Sequence, residues 1–237
     1  MLHGPQSAEV DLSLSPPSVC AEEVENGTTQ IGLVPVAEIA RQGLEIVPAL
    51  GISCLGAVRS ILLLSRVPWR EIRTLAADAS SRTSVELSRV VLRERFGVEP
   101  QITALSPDLE TMLEQADAAL IIGDPALRIE PAKTPYEWLD LGAEWYNLTQ
   151  LPMVFAAWAG KPRLPMEELR DITRGSFEFG KARLDEIIAA EFAQRGISLE
   201  LANKYLRHYI RYEIGPREQR GLETFFELAR LTEGARL

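Results

Sequence analysis

Histidine and cysteine are nearly absent from these 237 residues, which hold only His3, His208, Cys20 and Cys54. Isolated histidines leave no means of building a Ser-His-Asp hydrolase or a histidine metal centre. The cysteines have no CxxC spacing, so a structural zinc site has no support. Both are read as small buried hydrophobes, and so few cysteines fit a reducing cytoplasm. Long apolar runs are also missing. The longest, such as Ile61-Leu62-Leu63-Leu64, are far too short to cross a bilayer. No basic stretch followed by an apolar core opens the chain, so no secretion signal is expected. Basic residues are outnumbered 25 to 34, giving a net charge of −9 that argues against a nucleic-acid partner. Any anion site must therefore be local, made by dipoles and a few arginines.

What remains is an ordinary globular composition, 46% hydrophobic and 25% charged, long enough for one large domain or two lobes. Strands and helices alternate through the first two thirds. Val10, Leu12 and Leu14 alternate like a strand ending at Pro16-Pro17. A helix from Ser18 stops at Asn26-Gly27, and a strand over 31–34 leads through Pro35 into a helix over 36–41. Extended segments are expected over 46–50 and 57–65, then strands over 74–77, 102–104 and 118–122. Helices are expected over 83–96 and 108–115. This alternation implies a parallel, layered α/β architecture. One pattern occurs twice: a helix end, a tight turn, an aliphatic strand, a proline and a new helix, once around Ile31-Gly32-Leu33-Val34-Pro35 and again around Ala118-Ala119-Leu120-Ile121-Ile122-Gly123-Asp124-Pro125. It suggests two lobes of like construction, although two ordinary α–β–α units would look the same. After Trp158 the chain is mostly helical. His208 reads as a surface or packing residue, and Trp138, Trp145 and Trp158 as core.

The most chemically loaded stretch is Asp78-Ala79-Ser80-Ser81-Arg82-Thr83-Ser84, between a short strand and an amphipathic helix. A helix start offers free N–H groups and a positive dipole end. Four hydroxyls and a guanidinium around it make either a carboxylate or phosphate receptor, or an over-provisioned N-cap. Ser81, Arg82, Thr83 and Ser84 are the candidates for carboxylate binding, with Arg82 alternatively turned to solvent. Gly123 and Asp124 follow a strand end where a cleft is expected. Asp124 either accepts from a ligand hydroxyl or caps the helix at Pro125. Arg59 and Ser60 alternate, so in a strand they face opposite ways, which argues against both lining the cleft.

Five stretches in order resemble one family: Gly56-Ala57-Val58-Arg59-Ser60, Ser80-Ser81-Arg82-Thr83-Ser84-Val85, 116–127, Asp140-Leu141-Gly142-Ala143-Glu144-Trp145, and 149–159. Together they look like chorismate dehydratase of the futalosine route to menaquinone, over most of residues 10–160. The resemblance implies an α/β, type II periplasmic-binding-protein-like clamshell, two lobes joined by hinge strands near 57–65 and 153–158. Lobe one would hold 1–57 and 158–237, and lobe two 58–157. It implies a cytoplasmic enzyme that takes a small dicarboxylate, with neither cofactor nor metal. Chorismate would lose water to give 3-[(1-carboxyvinyl)oxy]benzoate, with Ser60 catalytic near the reacting carbons. No strong general base is visible, so the substrate's enolpyruvyl carboxylate is expected to take the C3 proton. One departure stands out. Family members begin with a strand and an asparagine-bearing loop, about 10–20 residues, which this sequence lacks ahead of Met1, so activity is expected to be impaired. A non-catalytic carboxylate-binding protein of the same fold and the sister enzyme 1,4-dihydroxy-6-naphthoate synthase remain open. Oligomeric state is not legible.

Overall fold

The structure is a computed structural model, and it describes residues 1, 4–78 and 82–231. Ser81, with Ala79 and Ser80, lies outside the described residues. Two sheets form the frame. The first contains β1 (Ile31–Pro35), β2 (Glu45–Cys54), β8 (Met153–Gly160) and β9 (Arg211–Glu213), in the order β1-β8-β2-β9 with antiparallel pairing throughout. The second contains β3 (Ile61–Ser65), β4 (Thr74–Asp78), β5 (Gln101–Leu105), β6 (Ala118–Ile122) and β7 (Glu137–Asp140), in the order β5-β4-β6-β3-β7. The expectation of parallel sheets holds only for β5-β4-β6; β3 pairs antiparallel with both β6 and β7. An antiparallel pair needs no helical crossover, so a strand arriving from the other sheet can slot in against the direction of its neighbours.

The chain crosses between sheets at 55–60, directly ahead of β3, and at 150–152, directly ahead of β8. Because β8 is laddered to β1 and β2 from Met153 onward, residues 153–157 belong with the first sheet, ahead of the boundary expected at 158. No strand forms over 10–16, where Leu14 is 78% exposed. Alternation there has no partner strand to reward it. Helices α1 (Pro17–Asn26) and α2 (Val36–Gln42) flank β1, and α1 ends at Gly27 in the left-handed conformation that the Asn-Gly signal predicts. The twice-used strand-to-helix turn occurs once in each sheet: β1 runs directly into α2, and β6 directly into α5 (Gly123–Arg128).

Packing explains the placement. All five residues of β3 are buried, and the four aliphatic ones alternate between two apolar clusters. Leu63 joins Val34, Ile39, Leu87 and Trp145 in the cluster that both halves share. Leu62 and Leu64 face the other way, onto Met112 and Ile121. Helix α3 (Arg82–Val91) buries Leu87, Val90 and Val91 and closes with a wider turn over Leu92–Phe96. Helices α4 (Leu109–Gln115) and α6 (Leu141–Thr149) complete the second half, with Trp145 fully buried against Phe225 of the final helix. Trp138 departs from the expected core role: it is 43% exposed on β7, which forms an edge of its sheet. Helices α7 (Met166–Ala182), α8 (Leu184–Glu191), α9 (Leu199–Lys204) and α10 (Pro216–Leu228) form the C-terminal part, where α7 packs on β2 and α10 on β8. Among the described residues no helix is long and apolar enough to cross a membrane.

Asp117 pins the start of β4. Its Oδ2 accepts from the Arg73 amide at 3.0 Å, the Thr74 amide at 3.0 Å and the Thr74 hydroxyl at 2.9 Å. Burial pushes this carboxyl upward, but the amides and the hydroxyl outweigh it and hold it below the ordinary range. A depressed folded-state value stabilises the fold fully above the unfolded value of about 3.9, and that stability is lost as pH falls through the folded value. Asp117→Ala should cost about 1–2 kcal/mol at pH 7 in denaturant unfolding. The gap to wild type should shrink below about pH 4.

Candidate functional site

The segment 55–60 is held in place by one carboxylate. Asp140 ends β7 and caps α6, where its Oδ1 accepts from the Ala143 amide at 3.1 Å. The same oxygen accepts from the Val58 amide at 3.0 Å, and Oδ2 from the Arg59 amide at 2.6 Å. Helix α6 can approach this closely because Gly142 has no side chain: a Cβ there would stand 2.6 Å from the Gly56 carbonyl oxygen. Cys54, at the end of β2, donates its thiol to the Gly56 carbonyl at 3.2 Å, and burial pushes that thiol far above its usual range. It is an inert core group, whereas Cys20 is half-buried.

Arg59 has a left-handed backbone (φ 67°). Its guanidinium donates to the carbonyls of Ala126 at 2.8 Å, Leu127 at 3.2 Å and Ile129. These carbonyls lie at the C-terminal end of α5, where a cation is favoured by the helix dipole. Burial lowers its pKa. Arg59 and Ser60 meet different partners, but strand alternation is not the reason, since β3 begins only at Ile61 and Arg59 sits in a left-handed turn. Ser60 is 5% exposed. Its carbonyl accepts from the Gly123 amide at 2.8 Å, and its Oγ from the Tyr205 hydroxyl at 3.0 Å. Burial raises the Tyr205 pKa, so this phenol is a neutral donor.

The other described candidates sit where strands of the second sheet end. β4 and β6 are parallel neighbours, so the starts of α3 and α5, which follow them, lie together, and antiparallel β3 begins there too. Thr83 is 1% exposed, and its Oγ1 accepts from the Ala37 amide at 3.3 Å, in the first turn of α2 on the other half. That leaves its own hydrogen for another acceptor. Ser84 is 2% exposed. Arg82 is on the surface and reaches Glu38 of α2 at 3.6 Å, a buried carboxylate also bound by Arg41. Gly123 takes a positive φ of 64° with open space where a Cβ would be. Asp124 is paired with Arg195 at 3.0 Å, in the segment between α8 and α9, and Arg128 donates to the Arg195 carbonyl at 2.8 Å.

Two sets of bonds therefore span the junction of the halves: Thr83–Ala37 and Arg82–Glu38 in one, Ser60–Tyr205 and Asp124–Arg195 in the other. Tyr205, Arg195 and Glu38 escape sequence reasoning. Tyr205 lies in the polar-aromatic run 204–209, yet no local pattern marks it as facing Ser60 across 145 positions. His208 in the same run is exposed. Among the described residues no group of three His, Cys, Asp or Glu could hold a metal. Chemically, the gathered groups are donors: hydroxyls at Ser60 and Thr83, the amide-rich start of α3, and arginine charge at the rim. They suit an anionic, oxygen-rich small molecule.

A family model described as menaquinone biosynthesis matches residues 1–231. The chain is 30% identical over 207 residues to a chorismate dehydratase of Thermus thermophilus, covering 79% of this chain and 74% of that protein. It is 30% identical over 142 residues to a chorismate dehydratase of Campylobacter jejuni, covering 59% and 60%. Among solved structures, protein AF1704 of Archaeoglobus fulgidus superposes with a TM-score of 0.73 at 18% identity, over 94% of this chain and 89% of that one. The periplasmic aliphatic sulphonate binding protein SsuA of Escherichia coli superposes with a TM-score of 0.56 at 15% identity, over 95% and 82%. The fold is thus the periplasmic-binding-protein-like α/β clamshell.

Asp140→Ala strands buried amide donors of two separate elements. Denaturant unfolding should show a loss of about 2–4 kcal/mol, against about 1 kcal/mol or less for a substitution at the exposed Glu137 on the same strand.

Proposed function

We propose, since the chain belongs to the chorismate dehydratase family of menaquinone biosynthesis, that it removes water from chorismate to give 3-[(1-carboxyvinyl)oxy]benzoate. The observation that carries this reading is that two buried hydroxyls, Ser60 and Thr83, each bond across the junction of the halves, Thr83 in the first turn of a ten-residue helix. A ring carboxylate is met by the start of α3, with Thr83 and Ser84 as hydroxyl partners and Arg82 as the rim charge. Gly123 admits the ring closely because nothing projects from it, and Asp124 with Arg195 closes the far side.

The reaction breaks the C3–H and C4–O bonds, and the ring becomes aromatic, which supplies the driving force. The protein's task is to hold the substrate so that its own enolpyruvyl carboxylate reaches the C3 proton, while Ser60 donates a hydrogen bond to the departing C4 oxygen. Both hydroxyls are buried, so the halves must part to admit chorismate and close over it, excluding water from the competing routes.

The direct test is incubation of the chain with chorismate while product absorbance is followed. Steady product formation is expected; tight binding without product would mark a binding protein instead. Ser60→Ala should lower kcat by about 10²-fold with little change in KM. Thr83→Ala should mainly raise KM, by about tenfold, the worth of one hydrogen bond to a charged group. The reverse split would exchange the two roles. An analogue without the enolpyruvyl carboxylate should bind and not react.

A further inference from the structure

Ser60 does not stand alone. Its Oγ is met at 3.0 Å by the hydroxyl of Tyr205, a residue of the C-terminal helical part that packs on the first sheet, while Ser60 heads a strand of the second. We infer that Tyr205 is a positioning residue for the dehydration: by donating into one lone pair of Ser60 Oγ it turns the Ser60 hydrogen toward the substrate, and it does so only when the two halves are closed. This rests on the reading of Ser60 under the proposed function and extends it to a second residue.

The argument is one of hydrogen-bond bookkeeping at a buried hydroxyl. A serine hydroxyl has one donor hydrogen and two acceptor sites. Left alone it rotates, and the Ser60 hydroxyl could turn back onto nearby backbone carbonyls, as Ser88 does onto Val85. Occupying an acceptor site with a phenolic donor removes the orientations in which the Ser60 hydrogen points at Tyr205. The serine hydrogen also becomes a stronger donor, because chained hydrogen bonds polarise one another. A phenol keeps its proton through the neutral range, and burial raises the Tyr205 pKa further. The neighbouring Tyr212, whose hydroxyl donates to the Leu206 carbonyl at 3.2 Å, has its pKa pushed up to about 12 by burial first and by Tyr205 second.

The bond also reports closure. Tyr205 is carried by the helix α9 extension that packs against β9, and the same region contributes Arg195, paired to Asp124 on the far half. Ser60 is anchored independently, through the Gly123 amide and the Asp140-bound turn before it. Parting the halves separates the phenol from the serine without disturbing either anchor. The oriented donor is therefore assembled only when the halves are closed, which keeps the donor out of register in the open protein.

The test is a double-mutant cycle on chorismate dehydration with Ser60→Ala, Tyr205→Phe and the pair, with thermal melting of each. Tyr205→Phe keeps the ring and its packing, and should lower kcat about tenfold while KM stays within about twofold, the signature of an interaction made mainly in the transition state. In the Ser60→Ala background the same change should have no further effect on kcat, because the phenol then has no hydroxyl to orient. An equal kcat loss in both backgrounds, or a loss tracking a lowered melting temperature, overturns the inference and makes Tyr205 a packing residue. Full kcat in Tyr205→Phe overturns it as well. Absence of dehydration by the wild-type chain instead overturns the reaction reading itself, and is distinguished by needing no variant to be seen.

Discussion

Everything around the site depends on the Asp140 carboxylate. It accepts amides from Val58, Arg59 and Ala143, so a single side chain fixes both the first crossing between the sheets and the start of α6. Ser60 is placed by consequence. The turn at Arg59 is held by its guanidinium on the carbonyls at the end of α5, and the Gly123 amide at the other end of that helix is held by the Ser60 carbonyl. Helix α5 is thus clasped at both ends by two consecutive residues. Burying these donors and acceptors without one another would cost each its desolvation, which is why the arrangement behaves as a unit.

The electrostatics follow the same economy. A chain of net charge −9 repels anions at long range, and the arginines near the junction are already engaged: Arg59 with carbonyls, Arg195 with Asp124, Arg82 with Glu38. Under the proposed reading, anion recognition falls to amides and hydroxyls at the start of α3, whose partial charges act at short range and gain strength as water is excluded. Such a site is specific by geometry. The proposed dehydration is a reaction whose driving force lies in the substrate, with the protein supplying position.

Much of the fold was legible locally. The Asn26-Gly27 stop, the strand over 31–34 with its helix, the strands over 74–77 and 118–122, and the amphipathic face of α3 all follow from short-range signals, because capping, alternation and helical periodicity are local physics. The strand expected over 10–14 failed because alternation has no force without a neighbour to pair with. The parallel expectation failed at β3, whose direction depends on where the preceding crossing delivers it. Trp138 was expected inside and sits on an edge strand, a fact set by strand order alone.

The sequence by itself determined many of the elements, the family and the hydroxyl-rich stretch ahead of Val85, since each is written in residues adjacent along the chain. Only the tertiary structure decided what those residues meet. Thr83 bonds Ala37, Arg195 holds Asp124, and Tyr205 reaches Ser60 from 145 positions away. Contacts of that kind arise from the way two sheets are crossed and closed on one another, and no local propensity encodes which distant side chain will complete a hydrogen bond.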